Sequence, residues 1–246
     1  MPNVEEQLHP IADGTKLRIS RTTVKHGRGE SHEYRVNNGP PLNGVTKITK
    51  FCEGDGFGAG KGFAVKEIRD SGGDLKAPDR VSGEAADLGN NLHRSIDNYI
   101  TDQIVDEEDD IFMAWFRTFG EYDWLASERF VCHPKGFGGT IDAIAREDDG
   151  TIAVYDWKTR KRDTYERNGP YAGEKAQISA YAKALQAMGS NWAPTKAYIV
   201  YVMRDGSYAE RVEVDIEKYW RLFRAAKIVA DVSDKINAKP KQEVKK

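Results

Sequence analysis

The sequence predicts a mixed α/β fold, a central mixed β-sheet flanked by helices. Three observations predict it. Residues 140–145 and 151–157 are β-like runs around the turn cluster Glu147-Asp148-Asp149-Gly150. An Asp-Gly turn between alternating apolar runs is the strongest short-range hairpin signal. A second strand pair, 196–203 (KAYIVYVM) and 208–214, turns at Asp205-Gly206. Between the pairs, and before and after them, segments carry helical periodicity. Strand–strand–helix–strand–strand with outer helices makes a layered mixed sheet.

Each element has its own signal. Residues 1–15 are polar and expected to be poorly ordered. Residues 16–24 alternate, 26–29 turn, and 32–36 extend again, which predicts an exposed hairpin. Residues 37–43 (NNGPPLN) are loop by composition, and 45–51 read as a short helix with Asn43 near its cap. GAGKG at 58–62 has no Ser or Thr after the lysine and no strand before it, so it is a loop or helix start, not a phosphate loop. Residues 63–69 read helical and 70–79 as loop. Ser82 is placed as the cap of the next helix, with Leu88, Leu92, Ile96 and Tyr99 as its buried stripe. His93 lies beside that stripe, and Gly89 one turn before it. The acidic run 106–110 suits the positive end of a helix, here the aromatic-rich 111–119. Residues 124–133 read as a strand leading into the central hairpin. After it, 163–169 read as loop, 171–188 as helix, and Asp215 caps a long helix to Ile236 with Trp220, Phe223 and Ile228 among its apolar positions. The expected division is an N-terminal appendage over 1–43, a main domain over 44–237 and a basic, disordered tail over 238–246.

Composition narrows the class. With 39% hydrophobic and 31% charged residues the chain is polar but can fill a core. A net charge of -2 argues against a coating protein of histone type, and leaves local basic patches free to bind nucleic acid. The two cysteines form no CxxC pair, which rules out a zinc ribbon or four-cysteine cluster within one chain and suits a reducing compartment. No run approaches the ~18 apolar residues of a membrane span. MPNVEEQLHP resembles neither a signal nor a transit peptide. The expectation is a soluble, cytoplasmic protein.

The chemistry gathers at 138–158 (GGTIDAIAREDDGTIAVYDWK). Asp156 and Lys158 are two apart on a strand and share a face. Asp142, one strand back, faces them if the register allows. Two carboxylates and an ammonium at one hairpin end suit phosphodiester hydrolysis, which needs a metal-activated water and compensating positive charge. Asp142 and Asp156 would be hard oxygen ligands for Mg²⁺ or Mn²⁺, and the Trp157 carbonyl, between Asp156 and Lys158 on the strand, would add another. Lys158 would orient the water or neutralise charge. His93 would add a nitrogen ligand, which favours Mn²⁺. An Asp-x-Lys pair alone is often a surface ion pair worth under ~1 kcal/mol. Charge at the end of a buried strand run is costly without a purpose, which tips this pair towards function. Arg160, Lys161 and Arg162 follow directly as candidate DNA contacts, with Tyr165, Tyr171 and Tyr181 as stacking groups.

The order Gly139-Thr-Ile-Asp142, Asp156-Trp-Lys158 and Gln177-Ile-Ser-Ala-Tyr181, with Gly89-x-x-x-His93 upstream, resembles the RecB-like branch of the PD-(D/E)xK nucleases. Over residues 80–237 the chain looks similar to the group that holds the mitochondrial genome maintenance exonuclease and its phage and bacterial relatives. The resemblance implies a restriction-endonuclease-like core. It implies His93, Asp142, Asp156 and the Trp157 carbonyl as metal ligands, and Lys158 as the catalytic lysine. Gln177 and Tyr181 would steady the site and the DNA strand, and Glu128 would help metal or water. It further implies an exonuclease on free ends of single-stranded DNA, in replication, recombination or repair, with a possible partner protein from those pathways. A bacterial or phage-infected cytoplasm fits better than a mitochondrion, since no transit peptide is visible. An endonuclease of the same fold and a non-catalytic DNA-binding module are the alternatives.

Overall fold

The computed structural model describes residues 3–11, 14–26, 29–52 and 56–237. Its centre is a mixed sheet built from β4 (Asn43–Gly44), β5 (Asp123–His133), β6 (Phe137–Arg146), β7 (Ile152–Arg160), β8 (Lys196–Met203) and β9 (Ala209–Glu213). The predicted hairpin is the antiparallel pair β6–β7, in register from Ala143↔Tyr155 to Arg146↔Ile152. β7 and β8 run parallel, which requires the crossover helix α6 (Ala172–Ala187) between them.

β6 pairs with β5 from Phe137 to Arg146. Its other edge is shared: β4 takes Phe137 and Gly138, and β7 takes Ala143 to Arg146. Residues 139–142 therefore have no strand partner on that edge among the described residues. The sheet opens there, and the candidate site forms in the opening.

Each face of the sheet has a core. Val154, Ile199 and Tyr201 pack towards α6, α7 (Ile216–Asn237) and α1 (Val45–Thr49). Tyr155, Trp157, Tyr198 and Val200 pack towards α3 (Ala77–Asp102) and α4 (Asp110–Phe119). The alternation of side chains along β7 and β8 produces this division. Trp157 is wedged edge-on between Trp115 and Trp124, with ring centroids 5.7 and 5.5 Å away.

Several local expectations change. Within residues 1–15, expected to be poorly ordered, Asn3–Pro10 forms β1, which pairs with β2 (Lys16–His26); β2 pairs in turn with β3 (Gly29–Val36). Residues 27 and 28 of the expected turn, 53–55 of the Gly-rich stretch and the tail 238–246 lie outside the described residues. α2 (Gly56–Asp70) runs through 58–62. α1 is capped by Gly44, while Asn43 receives the Lys47 ammonium instead. α3 starts at Ala77, so Ser82 lies inside it; the Pro78 ring, preset for a first turn, moves the start upstream. Asp109 caps α4 by accepting from the Ile111 and Phe112 amides. The expected loop 163–169 is mostly α5 (Arg162–Asn168), carried by the i,i+4 pairs Arg162–Glu166 and Asp163–Arg167. Leu88, expected in the buried stripe of α3, is 37% exposed, and Ile228, an apolar position of α7, is 65% exposed. No helix of the described residues is long and apolar enough to cross a membrane.

Candidate active site

Asp142 stands where β6 and β7 part. Its Oδ2 accepts the Trp157 backbone N–H at 2.8 Å, so the carboxylate continues the ladder where the strands no longer meet. The His93 ring reaches the same place from α3. Its Nε2 lies 3.1 Å from the Trp157 carbonyl oxygen, and its Nδ1 lies 3.7 Å from Asp142 Oδ2. A carbonyl only accepts, so Nε2 is the donor of that contact, and Nδ1 is the ring nitrogen turned towards Asp142.

Asp156 is fully buried on the face towards α6. Gln177 Nε2 donates to its Oδ1 at 3.2 Å and to Tyr181 Oη at 3.1 Å. Lys158 Nζ lies 2.5 Å from Asp156 Oδ2. That ion pair sets an ammonium against a carboxylate held out of water. Burial pushes the Asp156 carboxyl up to about 6, against the pull of Lys158. Burial lowers the Lys158 ammonium, but the Asp156 and Asp142 charges outweigh it and leave it above the ordinary lysine value. Lys158 is thus held as a cation near neutral pH.

The groups within one ion's reach are His93, Glu128 and Asp142, whose ligand atoms lie within 4.8 Å of one another. Asp156, expected as a ligand, is not one of these three, and Glu128, expected to help metal or water, is. Burial and the Asp142 charge push Glu128 up to about 8, against the pull of Arg21. Two carboxylates and an imidazole nitrogen fit a divalent cation by charge and donor type. The Trp157 carbonyl, expected as a ligand, lies beside His93. The cleft beside these groups holds about 300 Å³.

The expected DNA contacts scatter. Arg160 is committed to Glu174 and stacks on Tyr171, 4.9 Å from the ring centroid. Arg162 pairs with Glu166 at 3.1 Å and lies 5.3 Å from the Tyr208 ring centroid. Lys161 caps α5 through its backbone. Tyr165 packs on Tyr201 with centroids 4.8 Å apart. Tyr181 was expected to stack on DNA but is buried, its ring against Gly139; a Cβ there would come within 2.4 Å of Tyr181 Cε1. Sequence reasoning missed Glu174, which also accepts from Tyr201 Oη at 2.7 Å and from the Tyr171 amide at 3.1 Å. A glutamate at the third position of a helix is a capping signal, but Tyr171 at the cap hid it.

The sequence matches the profile of the PD-(D/E)XK nuclease superfamily over residues 75–245. The chain belongs to that superfamily. As a PD-(D/E)XK nuclease it acts on DNA, and nucleases of this kind use divalent metals. Among solved structures, the crystal structure of SSO0001 is similar at 18% identity and TM-score 0.40, over 84% of this chain and 78% of that one. An alkaline exonuclease from Laribacter hongkongensis is similar at 15% identity and TM-score 0.33, over 50% of this chain and 63% of that one. No curated protein matches.

Proposed function

We propose that this nuclease is a Mg²⁺- or Mn²⁺-dependent deoxyribonuclease that removes nucleotides from free ends of single-stranded DNA, in replication, recombination or repair. In this reading residues 44–237 are the nuclease domain. The observation that carries it is the buried Asp156–Lys158 pair beside the His93, Glu128 and Asp142 cluster. An anion is stabilised next to a fixed ammonium, and a cation next to the carboxylates; a phosphodiester with its metal needs both.

A divalent ion, when bound, supplies the Lewis acidity that activates water and offsets phosphoryl charge. His93, Glu128 and Asp142 would hold it, and the imidazole nitrogen favours Mn²⁺. Lys158 places its ammonium against the scissile phosphate. It would orient the attacking water or offset charge on the phosphate. Gln177 fixes Asp156, and Asp156 fixes Lys158. Lys161 would meet the DNA backbone beyond the cleft, next to Arg160 and Arg162, which Glu174 and Glu166 hold in place. The second sheet forms one wall of the cleft, through Arg21 and Tyr34.

The test is digestion of linear and circular single-stranded DNA, labelled at the 5′ or 3′ end, with Mg²⁺, Mn²⁺ or EDTA. Linear strands should shorten from an end with either metal and survive in EDTA. Cutting of the circle would establish an endonuclease instead. Failure to cut any DNA with metal present would leave the binding-module reading.

A further inference from the structure

The N-terminal sheet lies outside the stretch that matches the nuclease superfamily, yet it touches the metal-ligand cluster at one point. Glu128 stands opposite Asp142, between the pairs Ser127↔Ala143 and Arg129↔Ile141. Its φ is 48°, in the left-handed region, where a residue with a side chain costs about 1–3 kcal/mol. A kink in a strand also leaves backbone groups without ladder partners. One side chain from β1 bonds the backbone at the kink and two residues beyond it. Gln7 Nε2 donates to the Glu128 carbonyl at 2.8 Å, and Gln7 Oε1 accepts the Phe130 N–H at 2.8 Å. The Gln7 amide thus substitutes for a strand partner where none is present.

The same sheet compensates the charge of Glu128. Arg21 Nη1 lies 3.8 Å from Glu128 Oε2 and 3.3 Å from Thr140 Oγ1. Its Nη2 pairs with Glu5 at 2.6 Å, and its guanidinium carbon is 4.7 Å from the centroid of the Phe130 ring. Glu128 is therefore clamped through its backbone and countered at its carboxylate by β1 and β2.

We propose that the N-terminal sheet is a working part of the metal site. Gln7 is a positioning residue: it holds the kink at Glu128, so that the carboxylate stands as a third ligand beside His93 and Asp142. This rests on the reading of that cluster as a divalent-metal site. Gln7 acts through the backbone of Glu128 and Phe130, and on the metal site through Glu128.

The experiment is Mn²⁺ titration by calorimetry on the full chain, with no DNA present, in a double-mutant cycle of Q7A and E128Q. Partners behind a metal ligand typically contribute 10–100-fold to affinity. Q7A should weaken Mn²⁺ binding about 10–100-fold, E128Q at least as much, and Q7A/E128Q no more than E128Q alone. Should Q7A fail to fold, Q7E serves, since it keeps the acceptor for Phe130 and removes the donor to Glu128. A Q7A or Q7E protein with wild-type affinity would overturn the proposal. So would an equal loss from Q7A in both backgrounds, the mark of a purely structural role. Absence of Mn²⁺ binding by the wild-type protein would instead overturn the metal-site reading itself.

Discussion

The Trp157 backbone N–H donates to the Asp142 carboxylate at 2.8 Å, across the point where β6 and β7 separate. One carboxylate thus completes the sheet and offers itself to a ligand. The two duties separate by substitution. D142N keeps an oxygen for the Trp157 N–H and removes a charge that raises both Glu128 and Asp156. Cleavage should be lost, while thermal stability in EDTA stays at or above the wild-type value. D142A also strands a buried N–H and should lose about 1–3 kcal/mol. Urea melts of the metal-free proteins measure both. Equal stability of the two variants would mean that the ladder contact contributes nothing.

Lys158 and Asp156 form a buried pair, so removing one partner leaves an uncompensated group. K158M should reduce single-turnover cleavage by about 10²–10³-fold, the usual loss for one charge stabiliser. It should also destabilise the fold by about 3–5 kcal/mol, unless Asp156 takes up a proton. K158M should therefore be more stable at pH 5 than at pH 8, relative to wild type. Arginine should not rescue it, since a planar fork does not fit a point-charge site.

The parts legible in the sequence are those with local periodicity. Asp142, Asp156 and Lys158 stood out because a turn cluster and two alternating runs fix their faces within 20 or so residues. His93 and Gln177 came from helix faces and from motif order. What stayed hidden depends on distant partners. Gln7 meets Glu128 across 121 residues, and nothing local in NVEEQLHP marks it as a strand or a clamp. Glu128 was a weak candidate because its value comes from a backbone kink that no propensity announces. Arg160–Arg162 read as one basic patch because sequence places charges without their partners. Glu174, Glu166 and Tyr208 claim two of the three. α5 was legible in principle, since its two i,i+4 ion pairs are present in RDTYERN.

Gly139 is required by close approach. Any Cβ there would meet the Tyr181 ring at 2.4 Å, and that ring is held through Gln177 to Asp156. G139A should destabilise by about 1–3 kcal/mol as an overpacked core position. It should also lower cleavage by displacing Asp156. In a Y181A background the same change should cost much less, which a thermal double-mutant cycle will register. Additive losses would show that Tyr181 is not what excludes the methyl group.

His9 gives the fold an acid limit that is independent of the metal cluster. It is 4% exposed, and its Nδ1 lies 3.2 Å from Arg129 Nη2 on β5. Arginine can only donate, so the ring must be neutral and accept. Burial, with the Arg129 charge, lowers its pKa from 6.5 to about 4. Above about pH 6.5 neither folded nor unfolded chain protonates the ring, and the contact contributes in full. Between 6.5 and 4 the unfolded chain binds a proton that the folded one refuses, so stability falls as pH falls. The shift corresponds to on the order of 3 kcal/mol at the low end of the window. H9Q can still accept from Arg129 but does not titrate. Denaturant melts from pH 7.5 to 4 should show a smaller decline for H9Q than for wild type. Parallel curves would mean that His9 is protonated in the folded protein and that another group sets the limit.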